Sequence, residues 1–169
     1  PDGHTLSIGN WTVNVGAVAV TPIHFDPLND LEPVALLTIS KLWIVARKDL
    51  PANNAKELIA WLKANPGKAN AASVGYGSAA HVCLVDLKNR SGTDFQFVTY
   101  RVGAPAVQAL AGGQAHFACL EAGQTLGLYR GDKVKILGVA SKTPFPGAPE
   151  VPTLEEGGLA GVEIDFWHG

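Results

Sequence analysis

The stretch Ala72-Ser73-Val74-Gly75-Tyr76-Gly77-Ser78-Ala79-Ala80-His81 is the part of this sequence best suited to hold an anion. An apolar run enters a Gly-rich turn and then a helical pattern. Gly75 and Gly77 permit positive φ and close approach to the backbone, and Ser78 can cap the helix while still facing the turn. Exposed N–H groups at such a helix start, with the macrodipole behind them, favour a carboxylate as readily as a phosphate. The turn lacks both G-x-G-x-x-G spacing and the Lys-Ser/Thr pair of a P-loop, which argues against a nucleotide. The plainer alternative is that a strand-to-helix turn simply needs glycines.

Thr99-Tyr100-Arg101-Val102-Gly103-Ala104-Pro105-Ala106 repeats the arrangement, with Pro105 early in the helix where it costs little. In an open parallel sheet such turns gather at the carboxyl ends of the strands, so the two would share one rim. Tyr100 offers a hydroxyl and Arg101 a permanent cation, although an Arg at a turn is most often a solvated charge. In the turn Asn10-Trp11-Thr12-Val13-Asn14, Trp11 either walls a cleft or packs in the core. Trp43, Trp61 and Trp167 fall within regular elements and read as core.

Catalytic groupings are thin. Cys83, His81 and Glu121 could supply nucleophile, base and orienter, but His81 and Cys83 stand two apart on a helix and point to different sides. The five histidines show no ligand spacing, and no G-x-S-x-G, H-E-x-x-H or paired-Cys pattern occurs, so neither a metal nor a cofactor is expected. Cys83 and Cys119 are compatible with one disulfide and equally with two small buried side chains.

The elements that must position these turns alternate. His4 to Gly9 reads as a strand and Asn14 to Val20 as a short helix, after which Pro22, Pro27 and Pro33 enforce an irregular crossing. Lys41 to Arg47 is a strand, and Asn54 with Glu57 caps a helix that Asn65-Pro66-Gly67 ends. Strand and helix units follow at Asn70 to Val74 and Ser78, at Phe95 to Thr99 and Gly103, and at His116 to Leu120 and Gly123. Val134 to Ala140 is the next strand. Thr153 and Glu156 cap a last short helix, and Val162 to Phe166 closes the chain as a strand. This alternation implies parallel pairing through right-handed crossovers, an α/β fold.

The 169 residues are 47% hydrophobic and only 17% charged, with a formal net charge of -2. That suffices for a buried core and provides no basic field for nucleic acid. The longest apolar run, Gly16 to Val20, is too short to span a bilayer. Pro1-Asp2-Gly3-His4 reads as a turn with no export signal before it, and Phe166-Trp167-His168-Gly169 as the middle of a strand, so both ends are expected to be interior.

Several motifs in order resemble the Bug-type extracytoplasmic receptors of tripartite tricarboxylate transporters. They are Pro1-Asp2-Gly3-x-Thr5-Leu6, Phe25-Asp26-Pro27-x-x-Asp30-Leu31-x-Pro33-Val34, Pro66-Gly67-Lys68, Gly75-Tyr76-Gly77-Ser78-x-x-His81, Tyr100-Arg101-x-Gly103-x-Pro105-Ala106, Gly112-Gly113-Gln114 and Val151-Pro152-Thr153-x-x-Glu156-x-Gly158. The resemblance runs the whole length. It implies a two-lobed type II periplasmic binding protein fold, with the second lobe complete and the first partial. Residues 1–41 would be part of the first lobe and the crossing segment, 42–164 the second lobe, and 165–169 the return. Longer chains are expected of such receptors, with a strand, Gly-rich loop and helix before Pro1 and a helical tail after Gly169.

Carried over by position, the ligand site comprises Trp11, Thr12 and Asn14, then Ser73, Gly75, Tyr76, Gly77, Ser78 and His81, then Tyr100, Arg101, Gly103 and Ala104, with Glu121 beyond them. The implied ligand is a small organic mono- or dicarboxylate. The implied partners are membrane transporter subunits or a sensor kinase, and the implied compartment is the periplasm. Arg101 stands where such receptors usually have Lys, Trp11 and Val13 where small or polar residues are common, and His116 where Asp is frequent. An α/β enzyme acting on a small acid through Cys83 or His81 is the alternative.

Overall fold

Strand β1, Thr38–Arg47, organises the molecule described by this computed structural model over residues 3–169. Successive side chains of a strand face opposite ways. Leu42, Ile44 and Ala46 accordingly enter one apolar cluster, and Trp43 and Val45 enter the other. A strand buried on both faces must be central, and β1 pairs with three others. Trp43 is fully buried, and its Nε1 donates to Thr125 Oγ1 at 2.6 Å, satisfying the indole. Trp61 and Trp167 are only half-buried.

Helix α1, Ala17–Val20, continues a π-helical turn at Thr12–Gly16. Helix α2, Ala55–Ala64, starts where Asn54 Oδ1 accepts the Glu57 N–H at 2.9 Å; Glu57 in turn accepts the Asn53 N–H at 2.8 Å. Strand β2 (Asn70–Val74), helix α3 (Ala79–Ser91), strand β3 (Gln96–Tyr100), helix α4 (Gly103–Ala111), strand β4 (Phe117–Glu121), helix α5 (Ala122–Arg130) and strand β5 (Val134–Val139) follow. Strand β6 is Asp165–His168. Leu58 and Leu62 of α2 and Leu84 and Leu87 of α3 cover one face of the sheet, while Ala106 and Leu110 of α4 and Leu126 of α5 cover the other.

The sheet order is β3-β2-β4-β1-β5, with β6 beside the first half of β1. Only β2–β3 and β2–β4 are parallel; β1 runs antiparallel to β4, β5 and β6. This corrects the all-parallel expectation. The crossover from β4 through α5 to β5 skips one position, and β1, arriving from the crossing segment in the opposite direction, fills it.

Three further corrections concern the ends. Residues 4–9 form no strand: Gly9 exchanges backbone hydrogen bonds with Gly169, and Asn10 makes an isolated bridge to His168. The Thr153 and Glu156 capping contacts form, but only a turn follows. The Val139 N–H donates to the Pro152 carbonyl and the Leu154 N–H to the Val139 carbonyl, pinning this segment beside β5 instead of letting it wind. The closing strand begins at Asp165, three residues later than Val162. Of the turn expected at residues 1–4, Pro1 and Asp2 lie outside the described residues. Between residues 21 and 37 there is no regular element, and Leu28 is 90% exposed.

Cys83 of α3 and Cys119 of β4, both fully buried, form a disulfide with Cα atoms 6.3 Å apart. Cys83 is therefore no nucleophile, and the enzyme alternative built on it falls.

Candidate functional site

Strands β2 and β4 are neighbours whose outgoing helices leave in opposite directions on opposite faces, α3 toward β3 and α5 toward β5. Ligands of open α/β sheets bind at such a divergence, outside the carboxyl ends of the strands. A cleft of about 470 Å³ opens there. Its rim is made of three helix starts: Ser78, Ala79 and Ala80 of the α3 turn, Val102 and Gly103 at α4, and Glu121 and Gln124 at α5. Asn10, Thr12 and Val13 close it from the N-terminal segment, and Leu42, Leu120 and Phe166 form an apolar floor.

The α3 turn is held by its own hydrogen bonds. Gly75 and Gly77 sit at φ +59° and +74°, as only glycine does without strain. The Gly75 N–H donates to the Tyr100 carbonyl at 3.0 Å, joining the turns after β2 and β3. The Ser78 hydroxyl donates to the Val74 carbonyl and accepts the His81 N–H at 3.1 Å, while the Gly77 N–H donates to His81 Nδ1 at 3.3 Å. The Ala79 and Ala80 amides, in the first turn, have no acceptor inside the helix, and both residues line the cleft. At α4 no side chain caps the helix and Pro105 has no N–H, which leaves the Gly103 and Ala104 amides. Of these, the Ala79, Ala80 and Gly103 amides belong to residues that line the cleft, and with the Arg101 guanidinium they are the groups there suited to an anion.

Glu121 is the exception in sign. Burial pushes its carboxyl above the usual carboxylate range, opposed by the charge of His168 and by hydrogen bonds from Ser40 and Gln124. Gln124 Nε2 donates to Glu121 Oε1 at 2.9 Å. The same Gln124 lies close to α4: a Cβ on Gly103 would stand 2.4 Å from its Oε1, so any larger residue there would displace the Gln124 side chain. Burial also lowers the His81 imidazole, in keeping with Nδ1 as an acceptor.

Thr12, Gly75, Ser78, Arg101, Gly103 and Glu121 of the expected site residues thus line the cleft. The others stand around it. Trp11 packs against the core instead of walling the cleft, and Asn14 lies half-buried against Gly9. Ser73 is fully buried in β2, its Oγ without a protein partner. Gly77 and His81 build the turn from behind, with Tyr76, 71% exposed, edge-on to His81. Tyr100 packs against the second apolar cluster, and Ala104 is exposed outside the cleft. Gln124 and the floor residues escaped sequence inspection: Leu42, Leu120 and Phe166 read as ordinary core, and Gln124 was signalled only by its place three residues after Glu121.

The chain matches the family model described as "Tripartite tricarboxylate transporter family receptor" over residues 1–169. Among curated proteins, one of Agrobacterium vitis named for the TAR-I ttuE-ttuC' intergenic region is 30% identical over 168 residues, covering 99% of this chain and 49% of its own length. Among solved structures, MatC from Rhodopseudomonas palustris with bound malate has a TM-score of 0.87 at 31% identity, covering 96% of this chain and 55% of that one. The periplasmic binding protein BugD has a TM-score of 0.80 at 34% identity, covering 86% and 48%. The chain spans about half the length of the curated relatives it matches.

Proposed function

The chain belongs to the tripartite tricarboxylate transporter receptor family, and on that premise we propose that it supplies one wall of a cleft that captures a small organic mono- or dicarboxylate. The observation that carries this is the convergence of three helix starts and Arg101 on one cleft at the divergence of β2 and β4. One carboxylate of the ligand sits on the Ala79, Ala80 and Gly103 amides and pairs with Arg101, whose planar fork suits it. Thr12 and Asn10 meet the ligand from the other side. MatC, the relative solved with malate, makes an acid of that size a sensible first candidate.

In this proposal residues 42–164 form a complete second lobe, and residues 1–41 with 165–169 belong to a first lobe that closes over the ligand. The loaded receptor acts in the periplasm and hands its acid to membrane transporter subunits or to a sensor kinase. No chemistry is done on the ligand. Isothermal titration of the full chain with a panel of mono- and dicarboxylates tests the proposal. At least one acid should bind, and Arg101→Ala should weaken it about 10- to 100-fold, the loss of one or two charge-assisted hydrogen bonds. Absence of heat across the panel, or an Arg101→Ala variant that binds as before, contradicts it.

A further inference from the structure

A carboxylate-binding cleft has no evident use for a carboxylate of its own, yet Glu121 lines this one. Among the described residues, Arg101 and Glu121 are the two charged side chains on its wall, so their formal charges cancel. Glu121 ends β4, opposite Leu42 of β1, and begins α5 without capping it. Its carboxylate is held in place: Gln124 donates to Oε1 at 2.9 Å and is itself wedged against Gly103, and the Ser40 hydroxyl bonds it as well. An ionised carboxylate has about four acceptor positions, and these two donors leave about half of them for the cleft. A fixed, half-buried acceptor beside an anion site repels a plain acid and rewards a ligand that brings a donor with positive charge.

Resting on the carboxylate reading above, we infer that Glu121 is the specificity determinant of the cleft, and that it selects acids carrying an ammonium group over the same acids without one. The ligand carboxylate lies on the α3 and α4 starts with Arg101, and its ammonium lies on Glu121. The ligand class is then an amino acid or a similar zwitterion. Burial raises the protonation range of Glu121 despite the opposing charge of His168, so the carboxylate is only partly compensated and an incoming ammonium would compensate it further.

The test uses the full chain and matched acids that differ at one carbon: propionate, lactate and alanine, then succinate, malate and aspartate, then glutarate and glutamate. Isothermal titration at pH 7 should show, in the series of fitting length, the ammonium acid bound at least about tenfold more tightly than the unsubstituted one. Glu121→Gln should bring the two within about threefold, weakening the ammonium acid and strengthening the plain one. Glu121→Asp, which keeps the charge, should retain most of the preference, and circular dichroism of both variants checks folding. A wild-type chain that prefers the unsubstituted acid, or a Glu121→Gln variant that keeps the wild-type ratio, overturns the role of Glu121 while leaving carboxylate capture standing. If no acid of any series binds the wild-type chain, both the capture reading and this inference fall.

Discussion

Opening the Cys83–Cys119 bridge should destabilise the fold and loosen the cleft together, because Cys83 lies one turn inside α3 and Cys119 two residues before Glu121. The bond thus fastens two of the three walls to each other. Its sequence separation of 36 residues sets the entropy it removes from the unfolded chain. With that loop length the chain-entropy relation gives about 13 cal/mol/K, or about 3.8 kcal/mol at 25 °C. For a chain of this size that corresponds to a fall in Tm of about 8–15 °C. Urea unfolding of the native chain, the reduced chain and the Cys83→Ala/Cys119→Ala variant measures it. The two altered forms should agree, lose about 3–4 kcal/mol and bind carboxylate more weakly. A loss below about 1 kcal/mol, or thiols that react in the native unreduced chain, would refute the reasoning.

Other consequences are narrower. Gly77→Ala forces a side chain into φ +74° and places its Cβ 2.8 Å from Val20 Cγ2 and 2.9 Å from the Gly16 carbonyl oxygen. It should cost about 1–3 kcal/mol in denaturant unfolding and weaken carboxylate binding, by displacing the α3 turn. His116 and His81 are both held below the usual imidazole range, His116 by burial first and then by Arg47, His81 by burial, and each Nδ1 accepts a backbone N–H. Because the folded chain binds these protons less readily than the unfolded chain, their contribution is complete above about pH 6.5 and is lost as pH falls toward their lowered values. Thermal unfolding between pH 5 and 8 should show that decline, and His116→Asn should flatten it.

Much of the chain beyond β1 was legible because its signals are local. Ser78, Gly103 and the Asn54–Glu57 pair mark helix starts through capping and turn chemistry, which the neighbouring residues alone decide. The position of β1 was not legible. Its ten residues show where a strand is but not that it inserts antiparallel between β4 and β5, a consequence of a skipped crossover elsewhere in the chain. The cleft divides the same way. Ser78, Arg101 and Gly103 announce themselves by type and context, whereas Phe166 and Leu42 become its floor only through the pairing of β1 with β4 and β6. Trp11 shows the limit of inference from an aromatic in a turn: its area is used in packing against the core.

The central claim, that helix-start amides at the divergence of β2 and β4 hold a carboxylate, is tested most directly by backbone amide chemical shifts. A 15N-labelled full chain is titrated with its tightest-binding acid and, separately, with the corresponding neutral amide. The Ala79, Ala80 and Gly103 amides should move most with the acid, in proportion to occupancy, and hardly at all with the amide. Shifts that leave these three in place while the acid demonstrably binds, or equal shifts with the neutral amide, would contradict the account.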